Sequence, residues 1–292
     1  MPAPAGGRVI VVGDVMTDIV ATLSKPIAHG SDTPARIVQR GGGAGANLAA
    51  WLARTGIAVT LIGRVGNDPA GRAAVVSLRA EGVDARLDVD AERPTGTCVV
   101  LVEPGGERTM LPDAGANAGL RAAPLPVGAR HLHLAGYALL HPGSRPAARA
   151  ALARARSAGL PVSVDPSSAA PLARTGPETF LGWVEGAELL IPNRAEAAVL
   201  AGTDDPEAAA RALCAHAREV VVKLGAGGAL WTDGSALVHA PAPAVAEADT
   251  TGAGDAFAAG LLGARMAGAA PAVALRAGCA LAARAVALEG GR

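Results

Sequence analysis

Aromatic residues are almost missing from this 292-residue sequence: two Phe, one Tyr and three Trp leave few rings to stack on a nucleobase. Lysine is scarcer still, with only Lys25 and Lys223, while arginine is plentiful, a bias of composition rather than a functional mark. Charge of one sign is also lacking. Lys and Arg total 26 and Asp and Glu total 26, so no basic excess exists to hold a nucleic-acid backbone or an anionic membrane surface. Mean hydropathy is +0.32, but its source is abundant Ala, Val and Leu, and no apolar run approaches the roughly 18 residues of a spanning helix. The apolar run at Val9 to Val12 is too short for the core of a secretory signal. A cytoplasmic protein is expected. Cys98, Cys214 and Cys279 are odd in number, far apart and without a CxxC pair, so they read as free thiols in a reducing compartment.

Half of the residues are hydrophobic and 18% are charged, the composition of a folded chain long enough to bury a sizeable core. Short β-branched runs alternate with Ala-rich helical runs, the pattern of a mostly parallel sheet covered by helices on both faces. Strands are expected at Val9–Val12, Ala58–Ile62, His131–Leu134, Val162–Val164, Ala187–Ile191 and Val220–Leu224. The helices expected with them lie at Asn47–Arg54, Arg72–Ala80, Arg145–Ser157, Arg194–Ala201, Gly254–Met266 and Pro271–Leu288. Two stretches break this doubly wound α/β rhythm with short strands joined by Gly, Pro and Asp turns. The division expected is a core of residues 1–14, 41–84 and 113–292 and a small antiparallel β lid of residues 15–40 and 85–112.

The sharpest motif is Asp249-Thr250-Thr251-Gly252-Ala253-Gly254-Asp255. In a chain of this composition, D-T-x-G-x-G-D arises by accident in roughly one sequence in two thousand. Small residues at 252–254 let backbone N–H groups approach an anion at a helix start, where the helix dipole adds positive potential, and Asp255 stands beside that anion. The plain alternative is a first-turn capping carboxylate. A second motif, Gly41-Gly42-Gly43-Ala44-Gly45-Ala46-Asn47, lacks the preceding core strand of a dinucleotide fingerprint. Its Gly pair suits a hinge or a close approach to a ligand, and Asn47 supplies an amide just inside the helix.

Together these two motifs, in order and separation, resemble the signatures of the ribokinase family, the PfkB-type carbohydrate kinases, over essentially the whole chain. Asn193-Arg194-Ala195-Glu196 is similar to the family's NxxE element, Lys223 to Gly228 to its phosphate-lining loop, and Gly13 to Asp18 to its first strand and approach to the lid. The resemblance implies an ATP-dependent sugar kinase. Asp255 would be the general base, with the backbone of Gly252, Ala253 and Gly254 as anion hole. Asp18, Gly42, Gly43 and Asn47 would hold the sugar, and Asn193, Lys223, Gly225, Gly228 and Gly254 the nucleotide. Asn193 and Glu196 would organise Mg²⁺ through water, although an N-cap Asn with Glu three residues on is also an ordinary helix start. Lys223 replaces the hydroxyl residue common at its position, as a phosphate-side cation or as a mere strand end.

Smaller features complete the reading. Arg108 reads as a solvated hairpin residue of the lid, His131 and His133 as sheet residues facing one way rather than metal ligands, and Cys279 as a neighbour of the adenine pocket. The chain closes soon after Glu289-Gly290-Gly291, so the resemblance leaves activation by K⁺ in doubt. The expected partners are sugar and ATP, without nucleic acid or membrane, with a homodimer through the lid as a further expectation. The rival readings are a nucleoside kinase acting on adenosine or pseudouridine, an NAD-binding oxidoreductase, and a non-catalytic sugar-binding regulator.

Overall fold

The structure, a computed structural model, describes residues 7–105, 107–245, 250–287 and 291. In chain order, β1 (Arg8–Val12) is followed by β2 (Met16–Leu23), β3 (Ala35–Gly42), α1 (Ala44–Arg54), β4 (Val59–Gly66), α2 (Pro69–Ala80) and β5 (Asp84–Asp90). Next come β6 (Gly96–Val102), β7 (Arg108–Asp113), β8 (Ala129–Ala135), α3 (Tyr137–Leu140), α4 (Arg145–Ser157) and β9 (Val162–Asp165). The remainder is α5 (Ala169–Thr175), α6 (Pro177–Val184), β10 (Ala187–Leu190), α7 (Arg194–Ala201), α8 (Pro206–Leu213), β11 (Ala217–Lys223), β12 (Ala229–Thr232), β13 (Leu237–Ala240), α9 (Ala253–Met266) and α10 (Pro271–Val286).

Nine strands form one sheet in the order β13-β12-β11-β10-β9-β8-β1-β4-β5. Those from β11 to β5 run parallel, and the hairpin β12–β13 adds an antiparallel edge. β1 is apolar on both faces because both are covered. Val9 and Val11 pack with α1, α9 and α10, while Ile10 and Val12 pack with residues of α4 to α8 on the other face. The order reverses between β1 and β8, and at such a switch point the carboxyl ends of parallel strands open into a crevice.

Four strands, β3-β2-β6-β7, form the smaller sheet. β2–β3 and β6–β7 pair antiparallel, and the two pairs are joined through a parallel β2–β6 contact that brings Asp18 opposite Cys98. One boundary differs from the sequence expectation. The strand foreseen in the lid at Arg86–Val89 is β5, paired parallel with β4 from Thr60↔Asp84 to Gly66↔Asp90 at the edge of the large sheet. An edge strand carries charge on its open side, here Arg86, just as a hairpin strand does, while Ala85 packs into the core. Charge alternation alone does not distinguish the two.

Candidate active site

The crevice is built from residues just beyond the carboxyl ends of β1, β8, β9 and β11. Past β1, both carboxylate oxygens of Asp14 accept backbone N–H bonds from the first turn of α1, Oδ2 from Ala44 at 3.2 Å and Oδ1 from Gly45 at 3.3 Å. The glycines make this docking possible. Gly43 has φ +93°, and a Cβ there would sit 2.6 Å from the Asp14 carbonyl oxygen; one on Gly45 would sit 2.7 Å from Gly13 Cα. Burial still pushes the Asp14 carboxyl above its ordinary range, against those backbone bonds. Asp18, on β2, is buried, and a Cβ on Gly42 would lie 2.2 Å from its Oδ1. The Gly-rich segment is therefore shaped to the protein's own two aspartates, and it enters α1 from β3 of the small sheet rather than from a core strand.

Asn47 joins the two signature motifs. Its Nδ2 donates to Asp255 Oδ2 at 3.1 Å, linking α1 to α9, while its buried Oδ1 has no hydrogen-bond partner among the described residues. Asp255 lies in the first turn of α9, whose N-cap Gly252 is in the left-handed region (φ 72°). Burial, reinforced by the nearby Asp165 charge, raises the Asp255 carboxyl well above its ordinary value, against the pull of the Asn47 bond and of Lys223.

On the other side, Lys223 ends β11 and its Nζ lies 2.5 Å from Oδ2 of Asp165, which ends β9. Burial alone would lower the lysine, but the carboxylates of Asp165 and Glu196 outweigh it and hold the ammonium charged. Asn193 and Glu196 do not stand side by side on a helix face. They close a capping box at the start of α7, with Asn193 Oδ1 accepting from Glu196 N at 2.9 Å and Glu196 Oε2 from Asn193 N at 2.8 Å. The ordinary helix start is thus present, with one difference. Glu196 is only 1% exposed, and burial pushes its carboxyl up to about 7 although Lys223 pulls it down.

A Cβ on Gly254 would lie 3.5 Å from Lys223 Nζ, so the ammonium borders the turn that opens α9. Together with Gly225, Gly228, Phe257 and Cys279 they line a cavity of about 460 Å³. Gly228 (φ +88°) is required by the protein's own fold, since a Cβ there would meet the Ala240 carbonyl at 2.0 Å. A second cavity of about 570 Å³ opens beside Asp14, with Asn117 and Tyr137 in its wall. The Tyr137 hydroxyl is held far up by burial and by the Asp14 charge. Arg108 does not lie free in solvent as expected: its Nη1 donates to Thr250 Oγ1, tying β7 to the signature turn. Asp249, Gly106, Leu288, Glu289 and Gly290 lie outside the described residues. His131 Nε2 and His133 Nδ1 lie 2.7 and 2.9 Å from Ser163 Oγ inside the sheet, and burial lowers the two rings to about 3 and about 4.

Asp14, Asp165 and Tyr137 join a cluster that the motifs alone do not define. The signal for both aspartates is a carboxylate at the carboxyl end of a buried parallel strand.

The model of the pfkB family of carbohydrate kinases matches residues 7–292. The chain belongs to this family. Among its relatives, a fructokinase of Klebsiella pneumoniae is 34% identical over 267 residues, covering 88% of this chain and 83% of the relative. The adenosine kinase from Sinorhizobium meliloti has the same fold, with TM-score 0.89, 24% identity and coverage of 99% and 96%. A structure described as a putative ribokinase II from E. coli in complex with ATP and Mg²⁺ matches with TM-score 0.85 and 26% identity, covering 98% of this chain and 94% of that one. This pfkB-family chain is therefore a sugar kinase, a phosphotransferase on the ribokinase-like fold. Among its described residues no helix is long and apolar enough to cross a membrane.

Proposed function

We propose that this chain transfers the γ-phosphoryl group of MgATP to a hydroxyl of a small carbohydrate across the crevice between the two cavities. The observation that carries the reading is the Asn47–Asp255 pair. A carboxylate held above its ordinary basicity sits in the first turn of α9, and beside it is a buried amide oxygen to which no described residue donates. A substrate hydroxyl is such a donor. Asp255 accepts the proton of the attacking hydroxyl as its oxygen bonds to the γ-phosphorus, the bond to the β-phosphate oxygen breaks, and ADP leaves.

Gly252, Ala253 and Gly254 present backbone N–H groups to the transferring group at the positive end of α9. Lys223 adds a fixed cation beside that turn. Asp18, seated against Gly42, and Asn47 orient the sugar, with Gly43 holding the turn that places them. The smaller cavity suits a nucleoside: Phe257, Cys279, Ala282 and Val286 form its apolar end, and Gly225, Gly228 and Lys223 its phosphate end.

The donor set also fits Mg²⁺ arriving on the nucleotide. Among the described residues no group of three or more His, Cys, Asp and Glu is arranged to hold a metal, while Glu196, kept in place by Asn193, and Asp165 face Lys223. Glu196 would hold the ion through its water shell. When bound, Mg²⁺ neutralises charge on the phosphate oxygens.

A nucleoside acceptor is the second reading, favoured by Tyr137 and Trp183 in the wall of the larger cavity, two of only six aromatics in the chain. ADP release measured against ribose, fructose and adenosine separates the readings. Turnover with a sugar is the expected result, and turnover with adenosine alone would replace the first reading by the second.

A further inference from the structure

The larger cavity holds more than a free monosaccharide needs, and its lining carries two arginines against one carboxylate. Its volume of about 570 Å³ lies in the range that takes drug-sized ligands. At one end stands Asp14, the sole carboxylate among its lining residues, with both oxygens engaged by backbone N–H groups. Asp14 ties this cavity to the reacting centre, for it holds the first turn of α1, whose Asn47 donates to Asp255. His141, Arg145 and Arg174 line the same cavity. Arg145 is built in. Its Nε donates to the Leu139 carbonyl at 2.8 Å and its Nη2 to that of Leu140 at 3.2 Å, and its guanidinium lies 4.3 Å from the centre of the Trp183 ring. These contacts fix the plane of the guanidinium at little entropic cost. Neither Arg145 nor Arg174 pairs with a carboxylate among the described residues.

We infer that the acceptor of this kinase carries an anionic group, a phosphate or a carboxylate, at the end remote from the phosphorylated hydroxyl, and that Arg145 and Arg174 bind it. The inference rests on the kinase reading above and narrows its substrate class. A neutral sugar would leave both guanidiniums without an anionic partner, whereas one anion can accept a charge-assisted bond from each. A nucleobase would fill the volume but leave the cations unmet.

The test is a panel scored by kcat/KM for ADP release: ribose and fructose, their 5- and 6-phosphates, gluconate, and adenosine. The anionic acceptors should exceed the neutral ones by about 10- to 100-fold, the range of one charge-assisted contact. Arg174→Glu should cut that anionic-to-neutral ratio at least about tenfold, reversing one charge at an exposed residue that the fold does not need. Arg145→Gln should cut it further. Preference for a neutral sugar or for adenosine, with a ratio that Arg174→Glu leaves unmoved, would overturn the inference while the kinase reading stands. If no acceptor is turned over, the kinase reading fails, and calorimetric binding of ribose 5-phosphate and fructose 6-phosphate still decides the cavity. Binding weakened by Arg174→Glu supports it, and absent or unchanged binding refutes it.

Discussion

Two sets of carboxylates in this molecule are treated in opposite ways. At Asp68 and Asp90, which hold the β4–β5 edge together, burial is outweighed or minor. Asp68 caps α2 through Gly71 N at 2.7 Å and takes Thr95 N on its other oxygen at 2.7 Å, so its carboxyl lies below the usual range despite the desolvation that opposes it. Asp90 takes Glu92 N and Arg93 N at 3.0 Å each, backed by Arg64, and is likewise lowered. In the crevice, Asp14, Asp255 and Glu196 are all raised, and in each burial is the largest cause. The scaffold carboxylates are fully hydrogen-bonded anions. Those in the crevice are desolvated beyond what their hydrogen bonds offset, even where, as in Asp14 and Glu196, both oxygens are bonded, and such a raised carboxylate is the better base.

The most forceful way to break this contrast is Asp255→Asn. The amide retains the shape and the contact with Asn47 but cannot accept the proton, so kcat should fall by about 10²- to 10⁴-fold. Thermal stability should hold or rise, since a poorly solvated charge has been removed. Because the native carboxyl is raised, activity that needs its ionised form should fade on acidification at a pH above the ordinary carboxylate range. Steady-state kinetics with a melting curve tests both halves. Loss of fold together with activity, or near-normal turnover, would place Asp255 among the scaffold carboxylates.

A second contrast lies beneath the crevice, where His131 and His133 are held neutral around Ser163. Their folded values, about 3 and about 4, lie below the ordinary 6.5. Between pH 6.5 and 4 the unfolded chain therefore binds protons that the folded chain refuses, and stability falls as pH falls through that window. Going from pH 7 to pH 5, the two rings together should remove about 2–4 kcal/mol. Asp255, with its raised value, acts in the opposite sense, so the histidine contribution is read as a difference. Urea melts of the wild type and of His131→Asn should diverge in slope by about one bound proton across the window. Parallel slopes would mean that the ring is protonated in the fold.

Much of this arrangement was legible in the sequence, and the reasons for the gaps are physical. The turn at 252–255 announces itself because small residues at consecutive positions lead into a carboxylate at a helix start, and Gly42–Asn47 is read from a like run of small residues. The glycines there read as a hinge or a close approach to a ligand, and Gly42, Gly43 and Gly45 make room for Asp18, Asp14 and Gly13; sequence shows the need for close approach without naming what approaches. Asp165 belongs to no local motif, since its partner Lys223 is 58 residues away and only the parallel alignment of β9, β10 and β11 joins them. The hairpin β12–β13 carries no clear signal because Ala229–Thr232 is a short apolar run without alternation, and β5 reads as a lid strand because a charged edge strand and a hairpin strand look alike. The loop partner of Arg108 lies 142 residues away, beyond any local pattern.

The smallest effect tests the scaffold side directly. Asp68→Ala removes the N-cap of α2 and strips Thr95 N and Thr95 Oγ1 of their acceptor. Loss of a cap costs about 1 kcal/mol, and a part-buried N–H left unmet costs about 1–3 kcal/mol. Water reaching the exposed end of the loop offsets some of this, so about 2 kcal/mol of stability should be lost, read as a lower urea midpoint at unchanged m-value. Asp68 lies outside both cavities, so the variant should leave the acid limb of the pH–rate profile where it is. A shift of that limb would mean that the β4–β5 edge and the crevice share their electrostatics, and that the lowered and the raised carboxylates are not separate systems in this fold.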